Sequence, residues 1–246
     1  MKKSYLILLL YAALPLIGWS QEDISPNKNL VDKKWIHNQN YQMEWTMLKD
    51  TSKFTIGFVD TKVEILGDKI QVITTVKMKS SPSSWIDSTI VKKVDFSPVY
   101  HASCNAQRDM SIHFGTDIKG FYHDKTSGKK TAIEQKVAPG YFDSNFYPML
   151  INWLPLKTGF KADLNIFDYN PNGKTGVIKA HILNVSEGKY QTKNSGDRKV
   201  WIVEASDEIS SAGGKSIYQI DQFTRQLYLQ RITVGSRIME MKLIEP

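Results

Sequence analysis

From Tyr41 onward the chain alternates apolar and polar residues with a period of two, in short runs separated by turn residues. Residues 69–79 show it best: Ile70, Val72, Thr74, Val76 and Met78 fall on one side, and Gln71, Ile73, Thr75 and Lys77 on the other. That period is what one buried face of a β-sheet requires. Residues 55–65 precede this run, and Gly67-Asp68 joins the two as a hairpin. Strands follow at 85–94, 99–107 and 110–122, where Met110, Ile112 and Phe114 share a face. After the turn at 124–128 a return strand is expected at 131–137. The second half continues with 160–169, 175–185, 200–206, 216–220, 227–234 and 237–244. Asn172-Gly173, Glu187-Gly188 and Gly213-Gly214 are expected as turns. Connections this short leave no room for parallel crossovers, so the sheet is expected to be antiparallel.

One segment departs from this period. Between Pro139-Gly140 and Pro155, residues Phe142, Phe146, Met149, Leu150 and Trp153 fall at helical spacing. This predicts a helix over 145–154, with Asn145 as its cap, Pro148 in the first turn and Pro155 ending it. A single aromatic-rich helix in a β chain plugs or covers a curved sheet, or else forms a lid on a ligand cavity. Phe146, Met149, Leu150 and Trp153 are therefore the candidates to line an apolar groove. The fold expected is mainly β, a curved antiparallel sheet or half-barrel with one short helix on its concave side.

The first residues follow a different pattern. Lys2 and Lys3 precede an apolar run at 5–17 (YLILLLYAALPLI), and small residues stand at Gly18 and Ser20, before a cut at Gln21. That is the layout of a secretory signal peptide, and the run is shorter than the roughly 20 residues a spanning helix needs. The organisation expected is a signal peptide at 1–20, a polar, mobile lead-in at 21–40 with Trp35 docking on the body, and a single β-rich domain at 41–246. The mature chain has no further run of membrane length. It is expected in the periplasm or outside the cell.

Composition narrows the function classes. The net charge of +7 is spread over pairs such as Lys92-Lys93 and Lys129-Lys130 rather than gathered into a stripe, which argues against nucleic acid. Cys104 is the single cysteine, so no intramolecular disulfide forms, and no cysteine at the cut site can carry a lipid anchor. It is expected to be buried and inert. The five histidines lack metal-pair spacing, and His101 and Cys104 are expected on opposite faces of a strand. Residues 168–173 (DYNPNG) resemble half of a calcium loop, but Lys179 stands where the bidentate glutamate belongs. Gly173-Lys174-Thr175 lacks the earlier glycine of a phosphate loop. There is no Gly-x-Ser-x-Gly elbow. No catalytic residue, metal ligand or cofactor motif is assigned.

Leu154-Pro155-Leu156-Lys157-Thr158-Gly159-Phe160, within 142–169, resembles a signature of an exported bacterial family, domain-of-unknown-function family 3108. The late strands at 201–205 and 218–225, ending in the Asp221-x-x-Thr224-Arg225 turn, resemble it too. The resemblance covers most of the mature chain. It implies a fold similar to the half-barrel of the lipoprotein carriers LolA and LolB, with an apolar groove, and carries over no catalytic residues. The function expected is a non-catalytic envelope protein, either structural or binding a lipid, another amphipathic ligand or a protein partner. The alternative is an exported hydrolase whose site is assembled from distant strands.

Overall fold

The computed structural model describes residues 22–49, 52–171, 173–209 and 213–245. The expected signal peptide lies outside the described residues. Sixteen strands form among them: β1 (Glu22–Ile24), β2 (Gln39–Lys49), β3 (Ser52–Leu66), β4 (Lys69–Met78), β5 (Ser84–Lys92), β6 (Pro98–Cys104), β7 (Arg108–His113) and β8 (Ile118–Asp124), then β9 (Lys130–Gln135), β10 (Phe142–Asp143), β11 (Ala162–Asp168), β12 (Gly176–Gln191), β13 (Asp197–Asp207), β14 (Gly214–Asp221), β15 (Leu227–Val234) and β16 (Arg237–Leu243). One α-helix, α1 (Tyr147–Trp153), and a single 3-10 turn at Lys33–Trp35 interrupt them.

Strands β2 to β9 form one antiparallel meander and β11 to β16 another. Antiparallel pairing of β16 with β2 joins both into a single curved sheet that does not close into a barrel. The antiparallel expectation holds along both meanders. The exceptions are two short parallel pairings, β1 and β10, which lie end to end along the outer edge of β11. Segments of three and two residues reach that edge through irregular chain rather than through hairpins, so no turn fixes their direction. Together they cover backbone groups that would otherwise be unpaired. The opposite edge, β9, is short and carries Lys130 and Glu134 on exposed positions. Across the gap between these edges, Tyr141 and Phe167 pack with Ile112, Ile118 and Ile133.

Three expectations about local structure are corrected. Residues 110–122 form two strands rather than one, because Gly115-Thr116-Asp117 turns the chain between β7 and β8. Glu187-Gly188 is not a turn but lies inside the long strand β12. A Cβ on Gly188 would stand 2.6 Å from Ile202 Cδ1, so the glycine makes room for a neighbouring side chain. The lead-in is built into the structure: Ile24 is fully buried in the core, and Asp32 N–H donates to the Trp153 carbonyl at 3.1 Å.

Trp35 does dock, and a turn holds it. Asp221, fully buried, accepts from the backbone N–H of Phe223 and Thr224, both at 2.8 Å, and from Arg198 Nε at 2.8 Å. This sets Arg225 at φ 63°, with its guanidinium 4.9 Å from the Trp35 ring centroid. Arg225 Nε and Nη1 are buried without hydrogen-bond partners, so the aromatic face, with the nearby charges of Asp32 and Asp221, holds the cation. Arg225→Ala is expected to release the lead-in at a cost of about 0.5–2 kcal/mol, the range of a partly buried cation–π contact. Amide exchange of Trp35 and Ile36 should accelerate while the centre of β3 and β4 stays protected. Uniform loss of protection would contradict this local role.

Candidate functional site

The concave wall follows from strand register. Residues paired across a sheet share a face, so Tyr41, Thr61, Thr74, Asp87 and Ser103 form one row over β2 to β6. Beside it run Met43, Val59, Val76 and Trp85 on one side, and Val63, Val72, Thr89 and His101 on the other. A further row carries Tyr218, Gln230, Met241 and Trp45 across the junction of the two meanders. The concave face is therefore apolar with one polar stripe through it.

Helix α1 sits against this face and is buried at six of its seven positions. Phe146 occupies the N-cap without a side-chain cap bond, and Pro148 falls in the first turn as expected. Asn145 does not cap the helix. Its side chain instead donates to Thr89 Oγ1 at 3.0 Å, drawn away by a polar cluster on the sheet. At the exit, Leu154 and Leu156 are buried on either side of exposed Pro155, and Gly159 takes φ 77°, which favours glycine. The Tyr147 hydroxyl donates to Asp207 on β13, fixing the helix to the second meander.

Between helix and sheet lies a cavity of about 370 Å³, lined among others by Tyr41, Met43, Trp45, Val72, Val76, Trp85 and Met241 from the strands, and by Asn145, Pro148, Met149 and Asn152 from the helix segment. Of the four residues singled out from the sequence, Met149 lines this cavity. Phe146, Leu150 and Trp153 do not; they pack into the core with Phe96, whose ring lies 6.2 Å from Phe146 and 6.1 Å from Trp153. Two polar atoms of lining residues are buried without partners: Trp45 Nε1 and Asn152 Oδ1.

The cavity adjoins a polar cleft of about 310 Å³, and the two share Trp85, Asp87 and Asn145. The cleft also presents His101, Arg108, Ser144 and Asp168. Behind it Asp143, fully buried, accepts from Thr89 Oγ1 at 2.9 Å and from the Asn145 N–H at 3.1 Å, and bonds His101 Nδ1 at 3.1 Å. Strand β10 delivers Asp143 there by pairing with β11 while lying across β6. Burial alone would lower the His101 pKa, but the charge and hydrogen bond of Asp143, with Asp87, outweigh it and leave it raised. Ser144 Oγ donates to Asp168 Oδ1 at 2.7 Å. Burial pushes the Asp168 carboxyl above its usual range despite that bond, with Asp143 adding to the rise. Arg108 Nη2 donates to Ser103 Oγ at 3.0 Å, and the guanidinium lies 5.7 Å from the Trp85 ring centroid.

The remaining sequence features lie apart from this cluster. Cys104 is exposed, not buried, because its end of β6 points its side chain to the convex side; a hydrogen bond with Asp109 raises its pKa and so disfavours the thiolate. His101, on the same strand, faces inward, which matches the expected opposition. His181 bonds Asp163 at 2.6 Å on the other meander. Asp168, first residue of the calcium-like stretch, is turned to Ser144. No group of three or more His, Cys, Asp or Glu is placed to hold a metal ion among the described residues. No helix among them is long and apolar enough to cross a membrane.

The solved structure of a β-barrel-like protein of the domain of unknown function DUF1849 from Brucella abortus is similar in fold. It superposes with a TM-score of 0.54 at 11% identity, covering 88% of this chain and 97% of that one. No curated protein matches the chain. The family model described as protein of unknown function (DUF3108) matches residues 40–242, and the chain therefore belongs to that family.

Proposed function

We propose that the protein is a non-catalytic binding module of the bacterial envelope that holds an apolar or amphipathic ligand between α1 and the concave sheet. The observation that carries this reading is the cavity of about 370 Å³, walled mostly by aliphatic and aromatic side chains. Each methylene of an alkyl chain buried there contributes roughly 0.8 kcal/mol, so a short chain gives useful affinity. The groove expected from the likeness to LolA and LolB is, on this reading, the same cavity. Export is supported by the charged and then apolar leader at 1–20. Sequencing of the cellular protein from its N-terminus is expected to start at Gln21.

The binding test uses decanol as a neutral chain and native mass spectrometry after delipidation. Uptake of decanol by the wild type is expected, with affinity reduced about tenfold or more, some 1.4 kcal/mol, in Thr74→Trp. Thr74 is half-buried and faces the cavity between Thr61 and Asp87, so an indole there fills the space without displacing core residues. Absence of uptake by the wild type would reject the reading.

The convergence of His101, Asp143, Ser144 and Asp168 supports a second reading, a hydrolase assembled from distant strands. Against it, the Ser144 hydroxyl is bonded to Asp168 and not to His101. A nucleophile and base in hydrogen-bond contact are the geometric requirement for that chemistry.

A further inference from the structure

We propose that the polar cleft is the head-group end of the cavity and selects an amphiphile with an ammonium head, whose alkyl chain occupies the apolar part and whose cation faces Asp87 and Asp168. The inference rests on the binding reading above and adds the ligand's class.

Four observations carry it. The two hollows meet at Trp85, Asp87 and Asn145, so a chain lying in the apolar cavity brings its end to Asp87. Among the described residues Asp87 is the one charged residue lining the apolar cavity, and it is about nine-tenths buried. Its Oδ1 accepts from Trp85 Nε1 at 2.9 Å, and no cationic side chain among the described residues forms an ion pair with it. A largely buried carboxylate beside an apolar cavity, with no cation paired to it, is stabilised by a cation that a ligand brings. Asn152 Oδ1, on a residue lining the same cavity, is an acceptor buried without a donor. An ammonium group supplies three donors and no acceptor, which matches this deficit.

The charge balance has the same sign. Asp87, Asp143 and Asp168 carry three negative charges around the cleft, against Arg108 and a titrating His101. The cluster stays net negative whether or not His101 is protonated. Arg108, the group that would draw an anionic head, is already engaged by Ser103 Oγ and the Trp85 ring. Asp168 is raised by burial and by Asp143, and an arriving cation would relieve that repulsion. Trp45 Nε1 is the orphan donor of the wall. It stands on β2, across β3 and β4 from Asp87, where a carbonyl along the ligand chain could accept from it.

The test compares decylammonium, decanol and decanoate, each below its micellar concentration at neutral pH, by native mass spectrometry and titration calorimetry. A primary amine of lysine-like basicity is fully charged there. Decylammonium is expected to bind about tenfold or more tighter than decanol, with decanoate weakest. Asp87→Asn keeps the side-chain shape and the bond from Trp85, and is expected to bring decylammonium down to the level of decanol. Asp168→Asn, a second variant in the same cleft, should narrow the preference as well. Decanol binding as tightly as decylammonium, a preference for decanoate, or a preference that survives in both variants would overturn the head-group assignment and leave the cavity reading intact. Uptake of none of the three would overturn both.

Discussion

Trp153→Ala is expected to destabilise the protein by roughly 3–5 kcal/mol, the range for truncating a large buried aromatic side chain. For a chain of this size that corresponds to a fall in melting temperature of roughly 6–20 °C. Trp153 is 1% exposed and packs 5.9 Å from Phe146 and 6.1 Å from Phe96, centroid to centroid. Phe96 adopts φ 64°, a conformation uncommon for a bulky residue, and is held there by complete burial against these rings. Removing the indole therefore opens a cavity and also loosens the support for a strained turn between β5 and β6. The Trp153 carbonyl accepts from Asp32, so the lead-in loses part of its anchor when the helix shifts. Because Trp153 does not line the cavity, decanol affinity measured well below the new melting temperature should change far less than stability does. Thermal unfolding followed by circular dichroism measures the first quantity. An unchanged melting temperature would show that α1 is a loosely seated lid and not part of the core.

The strands were legible in the sequence because each buries one face, and burial of one face imposes a period of two. Residues 69–79 and 227–234 show how closely the pattern maps onto β4 and β15. The helix was legible from its aromatic spacing, but its function was not. Helical periodicity places Phe146, Met149, Leu150 and Trp153 on neighbouring positions without saying which of them meet a neighbour and which meet empty space. A signal for the site was nonetheless present. Thr74 falls among Ile70, Val72, Val76 and Met78 on the inward face of β4, and a hydroxyl at such a position marks polar surroundings inside the sheet. Pairing extends that mark to Thr61 and Asp87. The encounter of Asp143 with His101 could not be read from the sequence. It depends on a two-residue parallel strand at the sheet edge, too short to have a period, and on the curvature that carries this edge over β6. The Glu187-Gly188 turn failed for a related reason. Glycine serves turns and close packing alike, and only the neighbouring Ile202 distinguishes them.

Asp143→Asn should cost roughly 3–5 kcal/mol, because removing one partner of a buried ion pair leaves the other uncompensated. The effect should also depend on pH in a defined direction. The His101 pKa is raised in the folded protein, chiefly by Asp143 acting against the burial that would lower it, and with a smaller contribution from Asp87. A group whose folded pKa exceeds its unfolded value stabilises the fold fully below the unfolded value, about 6.5 for histidine, and loses that contribution as pH rises through the folded value. The facing charges are Asp87 on β5, Arg108 on β7 and Asp143 on β10. Arg108 opposes protonation weakly, and Asp143 dominates it. In Asp143→Asn the main cause of the raised pKa is gone, so imidazolium at this buried position becomes unfavourable. The stability gap between wild type and variant should therefore be widest in mildly acidic solution, near pH 6, and shrink as pH rises through the raised folded-state value of wild-type His101. His101→Gln in the wild-type background removes the titrating group, and adding Asp143→Asn to it should give a gap that no longer varies as pH rises from about 6 through neutral and beyond. Denaturant unfolding of the four proteins across that range measures the coupling directly. A gap of constant size in the His101-containing pair would mean that Asp143 acts only through its neutral hydrogen bonds to Thr89 and the Asn145 backbone. The cluster would then be structural polarity without a titrating partner.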